Sequence, residues 1–446
     1  MLRSREYGAW VSHYEMSEYG MGKSLLGVTA HIIVFTSLVL LLEYRLIRRL
    51  WSEVEKRRTL VLPTRKYENS DVAEEKQYVS NTIARSKETI KEIMLVSRTW
   101  KAYFKLFEEP TFALKDVNYS VKKGDCFGII GLNGAGKTTN FKVITRQEYP
   151  TRGTIYANGY FADANPAEYL SGLGYCPQTF GLDNFRTGEA NLRTLMSMRG
   201  LSKEDIKNET RSWLSIIGLV QSAGRRAADY SGGMTRRLAV GAALSGGVRV
   251  ALLDEPTAGV DTAAKRQVWL AVKRALESGR CVVLSSHKYT VLSQSKISMF
   301  STDNFNCSMD EVERLCNRVT VLDAGEMGAL GSPTRYKELY ALGHTVIFKL
   351  RVNSVLSQVG AIRVQSLKDF MDHEFDCFVK DEHLTALRFT ITNNLPYNVI
   401  FIKLGFLAAE FDDIVEDYSA YDANMEDAFM HFVKENRYSI RPNETW

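Results

Sequence analysis

The chain has 446 residues, too many for one ordinary hydrophobic core, so two or three domains are expected. Apolar residues at 45% and charged residues at 24% are ordinary globular values, and a net charge of +5 spread among nearly as many acids argues against a nucleic-acid partner. Six scattered cysteines, Cys126, Cys176, Cys281, Cys307, Cys316 and Cys377, contain no CxxC pair and read as reduced thiols rather than a metal or disulfide framework.

From Ser24 to Leu42 the chain reads SLLGVTAHIIVFTSLVLLL, 19 residues without a formal charge. As a helix this stretch covers roughly 28 Å, close to a bilayer core of about 30 Å. Arg45, Arg48, Arg49, Lys56, Arg57 and Arg58 follow, with Trp51 among them, and this basic flank places everything downstream in the cytoplasm. No small-residue cleavage site follows, which disfavours a signal peptide. An N-terminal segment, 1–60, with one transmembrane helix over 24–44 is therefore expected, with His31 neutral and facing neighbouring helices.

Residues 61–92 are polar and mixed in charge, and read as a linker carrying an amphipathic helix. From residue 93 to 342, apolar runs such as CFGII, VALLD and CVVLSS alternate with helical stretches, which predicts a mainly parallel sheet. Beyond it, HTVIFKLRV reads as a strand, SLKDFMDHEF as a helix, and FDCFVK and ALRFTIT as strands. PYNVIFIKLGFLAAEF then reads as a helix, DIVEDYS as extended chain and NMEDAFMHFVKEN as a last helix. That order predicts a small α+β, ferredoxin-like domain over 343–436, followed by a tail, 437–446.

The strand Cys126 to Ile130 runs into Gly131-Leu132-Asn133-Gly134-Ala135-Gly136-Lys137-Thr138, with a helix-compatible stretch beyond. This is G-x-x-x-x-G-K-[ST] in the strand-loop-helix context that gives it meaning. The glycines let successive N–H groups face phosphate oxygens, and the helix N-terminus adds partial positive charge. Asn133, Gly134, Ala135, Gly136, Lys137, Thr138 and Thr139 are therefore the expected triphosphate contacts, with Lys137 as counter-charge and the Thr138 hydroxyl on Mg²⁺. About 120 residues on, the apolar run Val250 to Leu253 ends in Asp254-Glu255. Neighbours on a strand face opposite ways, so the two carboxylates take different roles unless the chain turns at Pro256. Asp254 is assigned to the metal shell and Glu255 to the attacking water as general base.

Tyr230-Ser231-Gly232-Gly233-Met234 stands upstream of DEPTAGVD and resembles the signature loop of ATP-binding cassette (ABC) proteins. With Gln178 in GYCPQ, Asp261 in AGVD and His287 in LSSH, the ordered motif set of that family is present. GLNGAGKTT, the tyrosine opening the signature, and EDYSAYDANMEDAFMHF look most like the A subfamily, whose members are large lipid transporters with two membrane halves and two ATPase domains. The resemblance covers nearly the whole chain and fits the second, C-terminal half of such a transporter. It implies an α/β P-loop NTPase: a core with a mixed, largely parallel sheet, an antiparallel β subdomain and a helical signature subdomain. One transmembrane helix would precede this ABC nucleotide-binding domain at 93–342, and the ferredoxin-like regulatory domain would follow.

By the same resemblance, Tyr103 in WKAY stacks on adenine, with Trp100 and Phe104 as alternatives. Gln178 reaches Mg²⁺ and the water where the ATPase meets the membrane domain, and His287 contacts the γ-phosphate and holds the water with Glu255. Ser231, Gly232 and Gly233 bind the nucleotide of a second cassette in a head-to-tail dimer, with the Asp261 loop at the seam. ATP and Mg²⁺ are the implied cofactors, membrane lipid the implied substrate, and an integral membrane location with cytoplasmic ATPase and C-terminal domains the implied setting.

Two departures stand out. Met234 replaces the amide residue usual in the signature, and a thioether is only a weak acceptor, so this half-site is expected to contribute less. The segment 288–307 (KYTVLSQSKISMFSTDNFNC) intervenes before a helix resembling SMDEVERLCNR, and is read as foreign to the fold, a retained intron in the gene. One helix cannot enclose a translocation path, so the chain is expected to be part of a longer transporter or to need a membrane partner. A soluble cassette ATPase and a weakly hydrolysing regulatory ATP-binding module are the alternatives.

Overall fold

The computed structural model describes residues 2–3, 10–11, 22–43, 69–84, 90–104, 109–179, 181–286, 309–341, 343–351, 358–383, 385–393, 395–422 and 424–438. Two units separate: residues 1–64 with 149–152, and residues 65–148 with 153–446. In the first unit Leu2–Arg3 pairs antiparallel with Trp10–Val11, and helix α1 runs Gly22–Glu43. The α1 side chains described are those of 25–40, and all its large apolar ones there, from Leu25 to Leu40, are exposed. Among the described residues no helix is long and apolar enough to cross a membrane. The helix expected over 24–44 forms as Gly22–Glu43, and its side chains beyond 25–40 lie outside the described residues. The basic flank from Arg45 to Arg58 lies outside the described residues.

In the second unit α2 (Ser70–Ala84) is followed by β1 (Met94–Tyr103), β2 (Thr111–Val121), β3 (Cys126–Ile130) and α3 (Lys137–Ile144). Next come β4 (Arg152–Ala157), β5 (Tyr160–Phe161), α4 (Pro166–Ser171), β6 (Leu173–Cys176), α5 (Gly188–Met198), α6 (Lys203–Ile216) and α7 (Gly232–Leu244). Then β7 (Val250–Asp254), α8 (Thr262–Glu277), β8 (Cys281–Ser286), α9 (Met309–Leu315), β9 (Arg318–Asp323), β10 (Glu326–Gly331) and α10 (Pro333–Tyr340) complete the larger body. The order β10-β9-β3-β8-β7-β6 makes a six-stranded sheet, parallel except for the β9–β10 pair. A second sheet, β2-β1-β4-β5, is antiparallel where its pairings are described.

The expected mainly parallel sheet forms because its central strands are apolar on both faces. Every residue of β3, β7 and β8 is buried. Phe127, Ile129, Leu252 and Val283 join one core cluster, while Ile130, Ala251, Leu253 and Leu284 join another. This alternation is the period-2 geometry of strands lying between two layers. The register pairs Ile130 with Ser286 and Asp254 with Ser285, so three parallel strands end side by side at one edge. Crevices at the carboxyl ends of parallel strands are where such sheets bind ligands.

The linker helix, α2, is docked rather than loose. Val72 and Val79 are buried, Glu75 pairs with Arg318 at 2.7 Å, and Lys76 pairs with Asp116 at 2.6 Å. Beyond α10, β11 (His344–Leu350), α11 (Gln358–Glu374), β12 (Cys377–His383), β13 (Ala386–Ile391), α12 (Tyr397–Glu410) and β14 (Val415–Asp422) follow the expected βαββαβ order. Their antiparallel sheet runs β12-β13-β11-β14, the ferredoxin-like arrangement, over its own core of Phe348, Phe389, Leu404 and neighbours. The last helix, α13 (Met425–Tyr438), departs from the expected boundary at 436. Met425, Phe429 and Phe432 pack into the core of the larger body, where Phe432 meets Tyr336 and Tyr340 of α10.

Candidate active site

The loop after β3 is shaped by close approach and by left-handed backbone. Gly136 has φ 103°, and a Cβ there would lie 2.4 Å from the Ala113 carbonyl oxygen; a Cβ on Gly131 would lie 2.3 Å from that of Leu322. Only glycine tolerates both conditions at Gly136. No side chain caps the N-terminus of α3, so its first N–H groups and positive dipole end are open to an anion. Lys137 lies 5% exposed at the first helical position, with Nζ donating to the carbonyls of Gly131 at 2.8 Å and Leu132 at 3.0 Å. Burial pushes its pKa down, and the charges of Glu255 and Asp254 oppose that.

Asp254 ends β7, fully buried. Its Oδ1 accepts from the Ser285 hydroxyl at 2.6 Å, and its Oδ2 has no hydrogen-bond partner. Burial raises its pKa, against which Ser285, Thr138 and Lys137 pull down. A buried carboxylate oxygen left unpaired beside a hydroxyl is what a hard cation such as Mg²⁺ takes up, so Asp254 and Thr138 fit the metal assigned to them.

Glu255 follows in the left-handed region, φ 52°. For a non-glycine residue this costs about 1–2 kcal/mol, a strain the surrounding structure holds in place. The turn is pinned from β8, because the Glu255 N–H donates to the same Ser285 oxygen at 3.0 Å. Strand alternation therefore ends at Asp254, and the two neighbouring carboxylates can serve one site. Gln178 Nε2 donates to Glu255 Oε2 at 3.0 Å. The Gln178 backbone is itself gripped: Arg236 of α7 is 4% exposed, and its two terminal nitrogens donate to the carbonyls of Pro177 and Gln178, each at 3.0 Å.

Lys137, Thr138, Asp254, Glu255 and Gln178 thus converge. Ser231 lies apart from them at the N-cap of α7, where its hydroxyl accepts from the Met234 N–H at 3.3 Å, a cap worth about 1 kcal/mol. Gly233 neighbours Asp261: a Cβ there would lie 3.4 Å from Asp261 Oδ1, and Asp261 in turn caps α8. The Met234 side chain packs against the core instead of presenting a polar tip. Tyr103 is 36% exposed, close enough to Thr139 to feel its hydroxyl, with Lys101 Nζ 5.0 Å from its ring centre. Trp100, the alternative aromatic, is buried edge-on against Phe112. His287 and the segment 288–307 lie outside the described residues. Ser285 and Arg236 hold Asp254, Glu255 and Gln178, the buried Glu311 of α9 bonds Thr257 just beyond, and none of the three was singled out by motif reading. Only their placement beside LSSH, the signature and SMDEVERL pointed at them.

Residues 114–258 match the family described as "ABC transporter". The chain is 30% identical over 436 residues to "Phospholipid-transporting ATPase ABCA3" of Mus musculus, covering 95% of this chain and 24% of that protein. It is also 30% identical over 417 residues to "Phospholipid-transporting ATPase ABCA7" of Homo sapiens, covering 93% of this chain and 17% of that one. The chain thus spans about a fifth of the length of these relatives. A solved "ATP binding subunit of ABC transporter" superposes with a TM-score of 0.47 at 25% identity, over 56% of this chain and 93% of that one.

Proposed function

Because residues 114–258 form an ABC transporter domain, we propose that the chain binds MgATP and hydrolyses it as the motor of an A-subfamily lipid transporter. The observation that carries this reading is the meeting of Lys137, the unpaired Asp254 Oδ2, Glu255 and Gln178 at the carboxyl ends of parallel strands. The loop from Asn133 to Thr139 cradles the phosphates, with Lys137 moving its ammonium from loop carbonyls to phosphate oxygens. Thr138, Asp254 and Gln178 hold Mg²⁺, whose charge offsets that developing on the transferred phosphoryl group. Glu255 accepts the proton of the attacking water, and the Gln178 amide fixes that carboxylate's direction. His287 adds a contact to the terminal phosphate. Positioning and charge stabilisation do most of the chemical work.

Tyr103 is proposed as the adenine platform: it is exposed and beside the phosphate loop, whereas Trp100 is spent on the core. Ser231, Gly232 and Gly233 are proposed to face the nucleotide of a second cassette, since they sit at a helix N-terminus away from the chain's own Lys137. Membrane lipid as the substrate rests on the relatives' names. The proposed setting is a membrane, with the ATPase and C-terminal domains in the cytoplasm.

Purified chain is expected to release phosphate from ATP in a Mg²⁺-dependent way, with Glu255→Gln keeping nucleotide binding while losing turnover. Equal phosphate release by both proteins would overturn the hydrolytic reading. A second reading, a regulatory ATP-binding module of low turnover, is favoured by the apolar Met234. Binding of ATP with no release above the Glu255→Gln background would establish it.

A further inference from the structure

The carboxyl group of Glu311, on α9, is buried in the larger body and has been given no role in the chemistry described above. Its side chain is 2% exposed. The Thr257 hydroxyl, two residues beyond Glu255, donates to Glu311 Oε2 at 2.7 Å, and Thr257 is itself 3% exposed. The Ser286 hydroxyl, at the fully buried end of β8 and one residue before His287, also bonds to it. One carboxyl group thus ties the turn after the proposed general base to the strand that delivers the proposed γ-phosphate histidine.

We propose that Glu311 is a positioning residue of the hydrolytic site, clasping Thr257 to Ser286 while it holds its proton and loosening that clasp when it ionises. This rests on the ATPase reading above. Burial pushes the Glu311 pKa up to about 7, with Thr257, Lys265 and Ser286 pulling it down and Glu255 pushing it further up. Several elements therefore face it. The turn after β7 contributes Glu255 and Thr257, α8 contributes Lys265, and β8 contributes Ser286. On its own helix Asp310, Glu313 and Arg314 lie nearby, and Glu426 of α13 faces Asp310. Lys265 is a cation acting on Glu311, and its pull is outweighed by burial. Neutral Glu311 satisfies both hydroxyls at little cost. The ionised form is a buried charge that recovers hydration only by opening the contact to water. The opening falls where Glu255 must stay in its strained turn.

The sign follows from the direction of the shift. A carboxyl whose folded pKa lies above its unfolded value favours the folded state below the unfolded pKa, and that favour is lost as pH rises through about 7. Full-length chain should therefore show a phosphate-release kcat that falls several-fold between pH 6 and 8.5. Glu311→Gln, a neutral isostere that still bonds both hydroxyls, should hold its pH 6 rate across that range. Glu311→Ala should lower kcat about tenfold at every pH while leaving KM for ATP within twofold. The melting temperature of wild type should drop between pH 6 and 8 relative to Glu311→Gln. Superimposable pH profiles of wild type and Glu311→Gln, in rate and in melting, would overturn the proposal. A chain that releases no phosphate in any form removes the rate claim together with the hydrolytic reading, while the melting comparison still decides whether Glu311 carries a proton at neutrality.

Discussion

At the scale of single residues, the site depends on two side chains that hold others in place. Ser285 gives its hydroxyl to Asp254 and receives the Glu255 N–H, so one oxygen fixes both carboxylates. Ser285→Ala leaves a buried carboxylate oxygen and a strained N–H without partners, which costs about 1–3 kcal/mol each. Its kcat is expected to fall at least tenfold, measured by phosphate release, while Ser285→Thr retains most of it. Arg236 offers a forked guanidinium to two consecutive carbonyls, a geometry lysine cannot reproduce. Arg236→Lys is expected to keep ATP affinity within a few-fold and lower kcat about tenfold. Combining it with Gln178→Ala should add little, because both act through the same amide; fully additive losses would contradict that coupling. The proposed catalytic set was legible in the sequence, since GLNGAGKT, the DE pair and GYCPQ are local strings with chemistry written into them. Ser285 and Arg236 were not, because their meaning comes from partners 31 and 58 residues away in sequence.

At the scale of elements, the βαβ arrangement follows from apolar runs that leave no polar face, and the ferredoxin-like order was readable strand by strand. Which core a given helix joins is not written in its own periodicity. Helix α13 shows this: it follows β14 in sequence yet inserts Phe429 and Phe432 among Tyr336 and Tyr340 of the larger body. Close packing leaves no slack there, since a Cβ on Gly328 would lie 2.5 Å from the Phe432 ring. Phe432→Ala is expected to destabilise by about 3–5 kcal/mol, typical of a buried phenylalanine. Thermal unfolding should show the larger body melting roughly 10 °C lower, at about 2–4 °C per kcal/mol for a domain of this size. An unchanged melting temperature would mean that α13 does not pack there. Helix α2 makes the same point: its polar composition reads as linker, but Glu75, Lys76 and two valines anchor it to the sheets.

At the scale of the whole molecule, the exposed apolar side chains of α1, from Leu25 to Leu40, call for a nonaqueous partner. Expressed full-length chain is expected to remain with the membrane pellet after an alkaline carbonate wash, and quantitative release into the supernatant would contradict membrane association. The sequence marked this stretch by composition alone, and what covers it lies beyond what its own pattern encodes. The proposed function depends on one convergence: the loop with Lys137, the Asp254 carboxylate and the Glu255 carboxylate meeting at one sheet edge. The most direct test measures ATP binding and phosphate release together for wild type, Lys137→Ala, Asp254→Asn and Glu255→Gln. Lys137→Ala is expected to lose nucleotide affinity at least tenfold, Asp254→Asn to lose its Mg²⁺-dependence, and Glu255→Gln to bind normally while turnover falls by about 10²–10⁴. Unaltered binding in Lys137→Ala and Asp254→Asn, with unaltered turnover in Glu255→Gln, would mean that these groups do not form one site.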